Sequence, residues 1–234
     1  MQSQHSQNHN ANLGMIIKNI ILGGQDGLVN VLGIILGVAT ATSSTELVLL
    51  AGLAATFAES VSMAAVAYTS TKAEEEHYES EVKKEREEIE KNPKEAEEEI
   101  RRIYIEKGFS GKLLEEVVNK IKENKETWLR TMMKDELGLQ NPKEEMSSIN
   151  QGILVGISAF IGSLIPLAPF VLLSVQDAFF ASLGISLLVL FGAGAYKSKI
   201  TSGKWVFGGF EMMIVGGAAA LAGYLVGVAF NVVV

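Results

Sequence analysis

The chain contains no cysteine. Disulfides, thiolate metal sites and thiol nucleophiles are therefore excluded. Histidine is scarce: His5 and His9 lie in the polar opening MQSQHSQNHNAN, and His77 is the third. An imidazole-rich centre cannot be built from these. Proline is limited to four residues, so long helices meet few interruptions. Lysine and arginine are missing from two short polar segments, residues 42–46 and 174–177. The net charge is −7, which leaves no basic footprint, and nucleic acid is not an expected partner. No cleavable signal pattern is expected, and the first twelve residues, polar and low in complexity, are expected to be disordered.

What is present is segregated. The sequence is 48% hydrophobic and 20% charged, yet the two classes occupy different stretches. Apolar residues dominate about residues 15–41, 47–71, 149–173, 178–196 and 205–233. Each stretch meets the roughly 20 residues that a helix needs to cross about 30 Å of hydrocarbon. Sixteen of the twenty lysines and arginines fall within residues 72–143; the others are Lys18, Lys197, Lys199 and Lys204. Five spans put all of these on one side of the membrane. Basic residues in short loops favour the cytoplasm, so the N-terminus and the charged insert are expected inside and the C-terminus outside.

The expected fold is an all-α membrane protein, with five transmembrane helices and a cytosolic three-helix insert between spans 2 and 3. Its parts are a tail (1–12), spans 1 and 2 (13–72), the insert (73–146) and spans 3 to 5 (147–234). Pro166 and Pro169 are expected to kink or break the outer end of span 3. Glycine recurs at four-residue spacing in Gly23/Gly27, Gly33/Gly37, Gly152/Gly156 and Gly223/Gly227. Such pairs let helices approach closely in lipid. They serve packing within the chain or contact between subunits, and span 1, with two pairs, is the expected inter-subunit face. In the insert, the first helix continues from span 2 and stops at Asn92-Pro93. The second starts at Pro93 and ends near Gly108. The third follows Ser110, a candidate cap, and runs to about Gly138 with a bend near Asn124.

Two acids lie deep in spans. A carboxylate there costs several kcal/mol unless it is paired, hydrated or protonated, so Asp26 and Glu59 are functional candidates. Asp26 is about 16 Å and Glu59 about 18 Å from the inner ends of their spans at 1.5 Å per residue. The two can meet at one level. Met63 is one turn from Glu59 on the same face. One thioether and two carboxylates suit a divalent transition metal better than Mg²⁺ or Ca²⁺. A carboxylate that holds a proton when empty and releases it to a cation predicts proton-coupled transport. A hydrogen bond to a neighbouring helix is the plainer role for either acid. Glu211 reaches toward the interface of span 5, and Asp177 is expected to be solvated.

In the insert, Glu81, Glu85 and Glu88 follow four- and three-residue steps, and Glu95 and Glu99 are four apart. Met132, Met133 and Glu136 converge on the third helix. An ordinary solvated face would show similar spacing, but two exposed methionines beside a glutamate are unusual. Glu74 and His77 form one E-x-x-H pair, of the kind that di-iron bundles use twice.

GGQDGLVNVLG on span 1, AESVSMAAVAYTSTKAEEEHY on span 2, the Glu-rich hairpin through Pro93 and MMKDELGL before span 3 together resemble the vacuolar iron transporter family. The resemblance covers the chain after residue 12. It implies a five-span homodimer, not an enzyme, that moves Fe²⁺ and often Mn²⁺ out of the cytosol in exchange for protons. It implies no permanent cofactor. It places Asp26 and Met63 on the transport path, and Glu85, Glu88, Glu99, Met132, Met133 and Glu136 on bound metal. The family pattern carries glutamate where this chain has Ala55 and Ala96; Glu59, one turn further along, and Glu95, adjacent, are the substitutes. The membrane would be the plasma membrane in a prokaryote and the vacuolar membrane in a eukaryote. Two other classes stay open: a membrane-anchored di-iron ferroxidase or metal sensor, and a scaffold whose acidic insert docks a partner.

Overall fold

The computed structural model describes residues 2–144, 146–201 and 203–230, without the side chains of residues 2–12, Glu144 and Thr201. The tail expected to lack structure, residues 1–12, falls outside the residues described in full. Among the described residues there is no strand. The helices are α1 (Gln2–Thr42), α2 (Thr45–Lys91), α3 (Pro93–Glu106), α4 (Gly111–Lys122), α5 (Lys125–Thr131), α6 (Ser148–Leu172), α7 (Val175–Thr201) and α8 (Trp205–Ala229), with a π-turn at Met132–Glu136 after α5. The chain divides into two compact units: Met1–Tyr68 with Ser148–Val234, and Thr69–Ser147. Helix α2 contributes to both.

The first unit holds the five apolar stretches, each as a helix long and apolar enough to cross a membrane. The protein is an integral membrane protein. Its turns are closed by small polar side chains. Ser44 Oγ accepts from Leu47 N (3.4 Å) to open α2. Ser174 Oγ accepts from Asp177 N (3.3 Å) and donates to Asp177 Oδ2 (2.7 Å) to open α7. Ser174 thus caps α7, and Asp177 in the first turn holds the Ser174 hydroxyl at an exposed end. Val31, Leu32, Ile35, Leu36, Leu167 and Phe170 form the main core.

Glycine sets the helix spacing, and it corrects one expectation. A Cβ on Gly23 would overlap the Val155 carbonyl, and one on Gly27 the Ala159 carbonyl, both on α6. A Cβ on Gly37 would lie 2.8 Å from the Gly223 carbonyl of α8. Both glycine pairs of span 1 are therefore spent inside the chain, on α6 and α8, and neither is a free face for a second subunit. Gly152 and Gly156 likewise meet Ala64 and Ser60 of α2. The proline expectation also changes. Helix α6 runs through Pro166 and Pro169 to Leu172 without a break. Ser182 Oγ of α7 donates to the Pro166 carbonyl (2.7 Å) and ties α7 to that end of α6.

The second unit is amphipathic. Ile89, Ala96, Ile100, Val118, Trp128 and Leu129 are among the residues of its core. Pro93 occupies the first turn of α3. Ser110 precedes α4, but its side chain makes no capping bond. Gly111, at φ 59°, makes the turn instead. The single bent helix expected after it is two helices. Asn124 Oδ1 accepts from Glu126 N (2.9 Å) and Thr127 N (3.1 Å), so Asn124 caps a new start. After Thr131 the ladder widens by one residue, and Leu137 N donates to Met132 O (3.2 Å). Gly138, at φ 66°, ends it.

Candidate functional site

In the membrane unit, α1 carries Asp26 and Asn30 one turn apart, and α2 carries Glu59 and Met63 one turn apart. The Glu59 carboxyl lies within interaction reach of both Asp26 and Asn30. Asp26, Glu59 and Met63 are each partly accessible. The hydroxyls around Glu59 do not compete for it: Thr56 Oγ1 donates to Gly52 O (2.8 Å) and Ser60 Oγ to Thr56 O (2.6 Å). The sequence reading brought Asp26 and Glu59 to one depth, and the structure joins them. It missed Asn30, whose signal was its position four residues after Asp26 in QDGLVN. Glu211 is exposed.

In the charged unit, most acids are neutralised. Glu97 pairs with Arg101 and Lys122, Glu79 with Lys143 (2.6 Å) and Glu87 with Lys91 (2.9 Å). Each of these carboxyls sits below its usual pKa because a cation hydrogen-bonds it. Three acids behave oppositely. Glu85, on α2, is only 7% exposed, and its Oε2 has no hydrogen-bond partner. Burial, then the charges of Glu136, Glu88, Glu99 and Glu81, push its pKa up to about 7. Glu99 on α3 is raised first by burial and then by Glu88, with which it shares a hydrogen bond; Glu95 adds and Arg102 (3.6 Å) subtracts. Glu136, in the π-turn, is raised by burial and then by Glu99 and Glu88. The acids singled out from the sequence on three separate segments are thus within electrostatic reach of one another.

Two features differ from the sequence reading. Met132 and Met133 are not exposed: they are 0% and 1% accessible and belong to the core under the acids. They follow the buried Trp128 and Leu129 by four residues and share that inward face, while Glu136 stays accessible. The acids also approach without closing round a point: among the described residues, no three His, Asp or Glu side chains converge tightly enough to hold an ion. His77 is 62% exposed, with Nδ1 3.9 Å from Glu81 Oε1.

The chain as a whole is similar to known proteins. The model of the VIT family matches residues 17–228. The chain belongs to the VIT family. It is similar to Vacuolar iron transporter 1 of Arabidopsis thaliana, 34% identical over 221 residues that span 94% of this chain and 88% of the relative. Vacuolar iron transporter 1 of Oryza sativa subsp. japonica is 32% identical over 95% of this chain and 90% of its own length. Vacuolar iron transporter of Plasmodium falciparum is 30% identical over 96% of this chain and 85% of its own length. The VIT match spans both units, the five apolar helices and the acidic segment alike.

Proposed function

We propose that this VIT-family protein carries a divalent transition metal, Fe²⁺ and also Mn²⁺, out of the cytosol in exchange for protons. The relatives it matches are named iron transporters, and the protein is not an enzyme. The observation that carries the reading is the close approach of two carboxyls, Asp26 and Glu59, on two spans. The pair holds a proton when no cation is there. A divalent cation entering between the carboxylates, with the Met63 thioether as a soft third donor, displaces that proton. Metal then moves one way and the proton the other.

The insert faces the cytosol and collects metal before it reaches the spans. Glu85, Glu88, Glu99 and Glu136 offer carboxylates, Glu95 extends the set, and Met132 and Met133 lie directly beneath. Glu85, buried and without a partner, is poised to gain a ligand. The transporter works as a homodimer in a bilayer with no permanent cofactor. Its membrane is the vacuolar one in a eukaryotic cell and the plasma membrane in a prokaryotic one. The ferroxidase alternative loses its support, since His77 faces solvent beside Glu81.

The test is uptake by purified protein in phosphatidylcholine vesicles, with Fe²⁺ under reducing conditions and Mn²⁺ alongside, at imposed pH gradients. Gradient-driven uptake by the wild type that Asp26→Ala abolishes is the expected result. Metal binding without uptake of either ion would overturn the reading.

A further inference from the structure

Asn19 is a buried group that the pathway above does not use. It lies on α1 and is 0% exposed, and neither Oδ1 nor Nδ2 has a hydrogen-bond partner. An amide buried without partners costs about 1–3 kcal/mol by protein mutational measures, and more in hydrocarbon. Ser158 and Thr56, on α6 and α2, avoid this cost, whereas Ser163 Oγ on α6 bears it too. Ser158 Oγ donates to Leu154 O (2.7 Å), and Thr56 Oγ1 donates to Gly52 O. A serine or threonine can turn back on its own helix in this way; the longer amide of Asn19 does not.

Asn19 also has a defined place relative to the pair. Seven residues are almost two full turns, so Asn19 and Asp26 share one stripe of α1, about 10 Å apart along the axis. Asn30 falls on the same stripe one turn beyond and lies within interaction reach of Glu59. Three polar side chains therefore follow one line of α1: Asn19, Asp26 and Asn30. The last two are engaged with Glu59, and only the first lacks a partner.

We propose that Asn19 is a further station on the ion path, two turns from Asp26 toward the N-terminus, where its amide oxygen replaces one water of an incoming divalent cation. The amide nitrogen donates to a water that the ion keeps. An amide oxygen suits this step because it is neutral. It binds the cation weakly enough to pass it on to the Asp26–Glu59 pair, which holds the stronger charge. The proposal rests on the transport reading above.

The test compares Asn19→Leu and Asn19→Asp with the wild type, using Mn²⁺ uptake in phosphatidylcholine vesicles and thermal unfolding in detergent. Leucine is near in size and removes the unsatisfied amide, so a merely structural Asn19 gives a variant as stable as the wild type or more so, with unchanged uptake. The path role predicts the same stability with KM for Mn²⁺ raised about tenfold, while Asn19→Asp, which keeps an oxygen donor and adds a charge, leaves KM no higher than the wild type's and slows turnover. Unchanged KM in Asn19→Leu overturns the proposal. So does a fall of its melting temperature, which would reveal a structural partner. Absence of uptake by the wild type overturns the transport reading itself and is seen before any variant is made.

Discussion

Polar groups are scarce in the membrane unit and abundant in the charged one, and the two units expose function in opposite ways. In the spans, polarity itself is the signal: Asn19, Asp26, Asn30 and Glu59 stand out because almost everything around them is apolar. Where Thr56, Ser60 and Ser158 are polar, their hydroxyls are closed onto their own helix. In the residues of Thr69–Ser147 a glutamate means little by itself, since ion pairs such as Glu97–Lys122 and Glu79–Lys143 absorb most of them. There the signal is the exception. Glu85, Glu99 and Glu136 are pushed up by burial and by one another rather than held down by a cation. Both units leave a few groups electrostatically unsettled, and those are the groups a metal ion can settle.

The largest test of this contrast is within the spans. Asp26→Asn keeps the shape of the side chain but removes the charge that a cation needs. Residues that merely orient a ligand change metal affinity or activity by roughly 10–100-fold, so uptake by Asp26→Asn should fall by at least about 100-fold. Glu59→Gln should cost nearly as much, because the two carboxyls approach each other closely. A Glu59→Gln protein that transports at the wild-type rate would detach Glu59 from the path and leave Asp26 as the sole acid.

Glycine gives the next largest effect, on stability. Gly162 packs so closely that a Cβ would overlap the Gly24 carbonyl of α1, whereas Gly217 has nothing within 4 Å. Gly162→Ala should therefore destabilise by about 1–3 kcal/mol, the usual cost of overpacking, while Gly217→Ala should be neutral or slightly stabilising. Thermal unfolding of both in detergent decides it. Equal melting temperatures would mean that α1 and α6 separate easily, and the helix spacing would then not depend on glycine.

The charged unit predicts a pH effect with a definite sign. Glu85 holds its proton to about pH 7 in the folded protein, against an ordinary value of 4.5. Between these values the folded state binds more protons than the unfolded one, so stability falls as pH rises through that window. Below about pH 4.5 the contribution is complete; above 7 it is lost. Glu85→Gln, a mimic of the protonated form, should unfold at a higher temperature than the wild type at pH 8. The gain should be roughly 4 °C, the shift that about 1 kcal/mol gives in a unit of this size. The two should converge near pH 4.5. The same variant should bind Mn²⁺ more weakly. A gain in stability with Mn²⁺ affinity intact would leave Glu85 as a strained core residue without a metal role.

How much of this the sequence disclosed also divides along the two units. The spans were legible because an apolar run has one meaning in bulk, and the common depth of Asp26 and Glu59 followed from counting residues at 1.5 Å each. Asn30 and Asn19 were not legible: an asparagine in a span looks like any small polar residue until its partners are known. The contacts of the glycine pairs were also hidden, since G-x-x-x-G spacing does not say which helix lies opposite. In the charged unit, the three-residue step placed Glu85 with Glu88 but could not say that Lys91 would pair with Glu87 rather than Glu88. The methionines misled for a local reason. They were weighed against the charged residues beside them, whereas they follow the buried Trp128 and Leu129 by four residues and share that face of the helix.

The π-turn at Met132–Glu136 supports the smallest effect. Lys107 Nζ lies 2.7 Å from Asp135 Oδ2 and 4.8 Å from the centroid of the Tyr104 ring, and Tyr104 OH donates to Asp135 Oδ2 (3.4 Å). Tyr104 rests edge-on against Phe109. One carboxylate thus ties the π-turn to the end of α3. Lys107 is 41% exposed, and pairs of that kind contribute about 0.2–1 kcal/mol. Lys107→Met should weaken Mn²⁺ binding to the insert by no more than about fivefold, by loosening the turn that carries Glu136 over Met132 and Met133. Trp128, buried one turn before Met132, can report the binding by fluorescence. Because an ion pair acts through position and not through the metal, Asp135→Lys combined with Lys107→Asp should restore most of the lost affinity. If the double swap binds as weakly as Asp135→Lys alone, the turn is held by its apolar contacts with the core, and the charged unit positions its metal-facing residues by packing, as the membrane unit does with glycine.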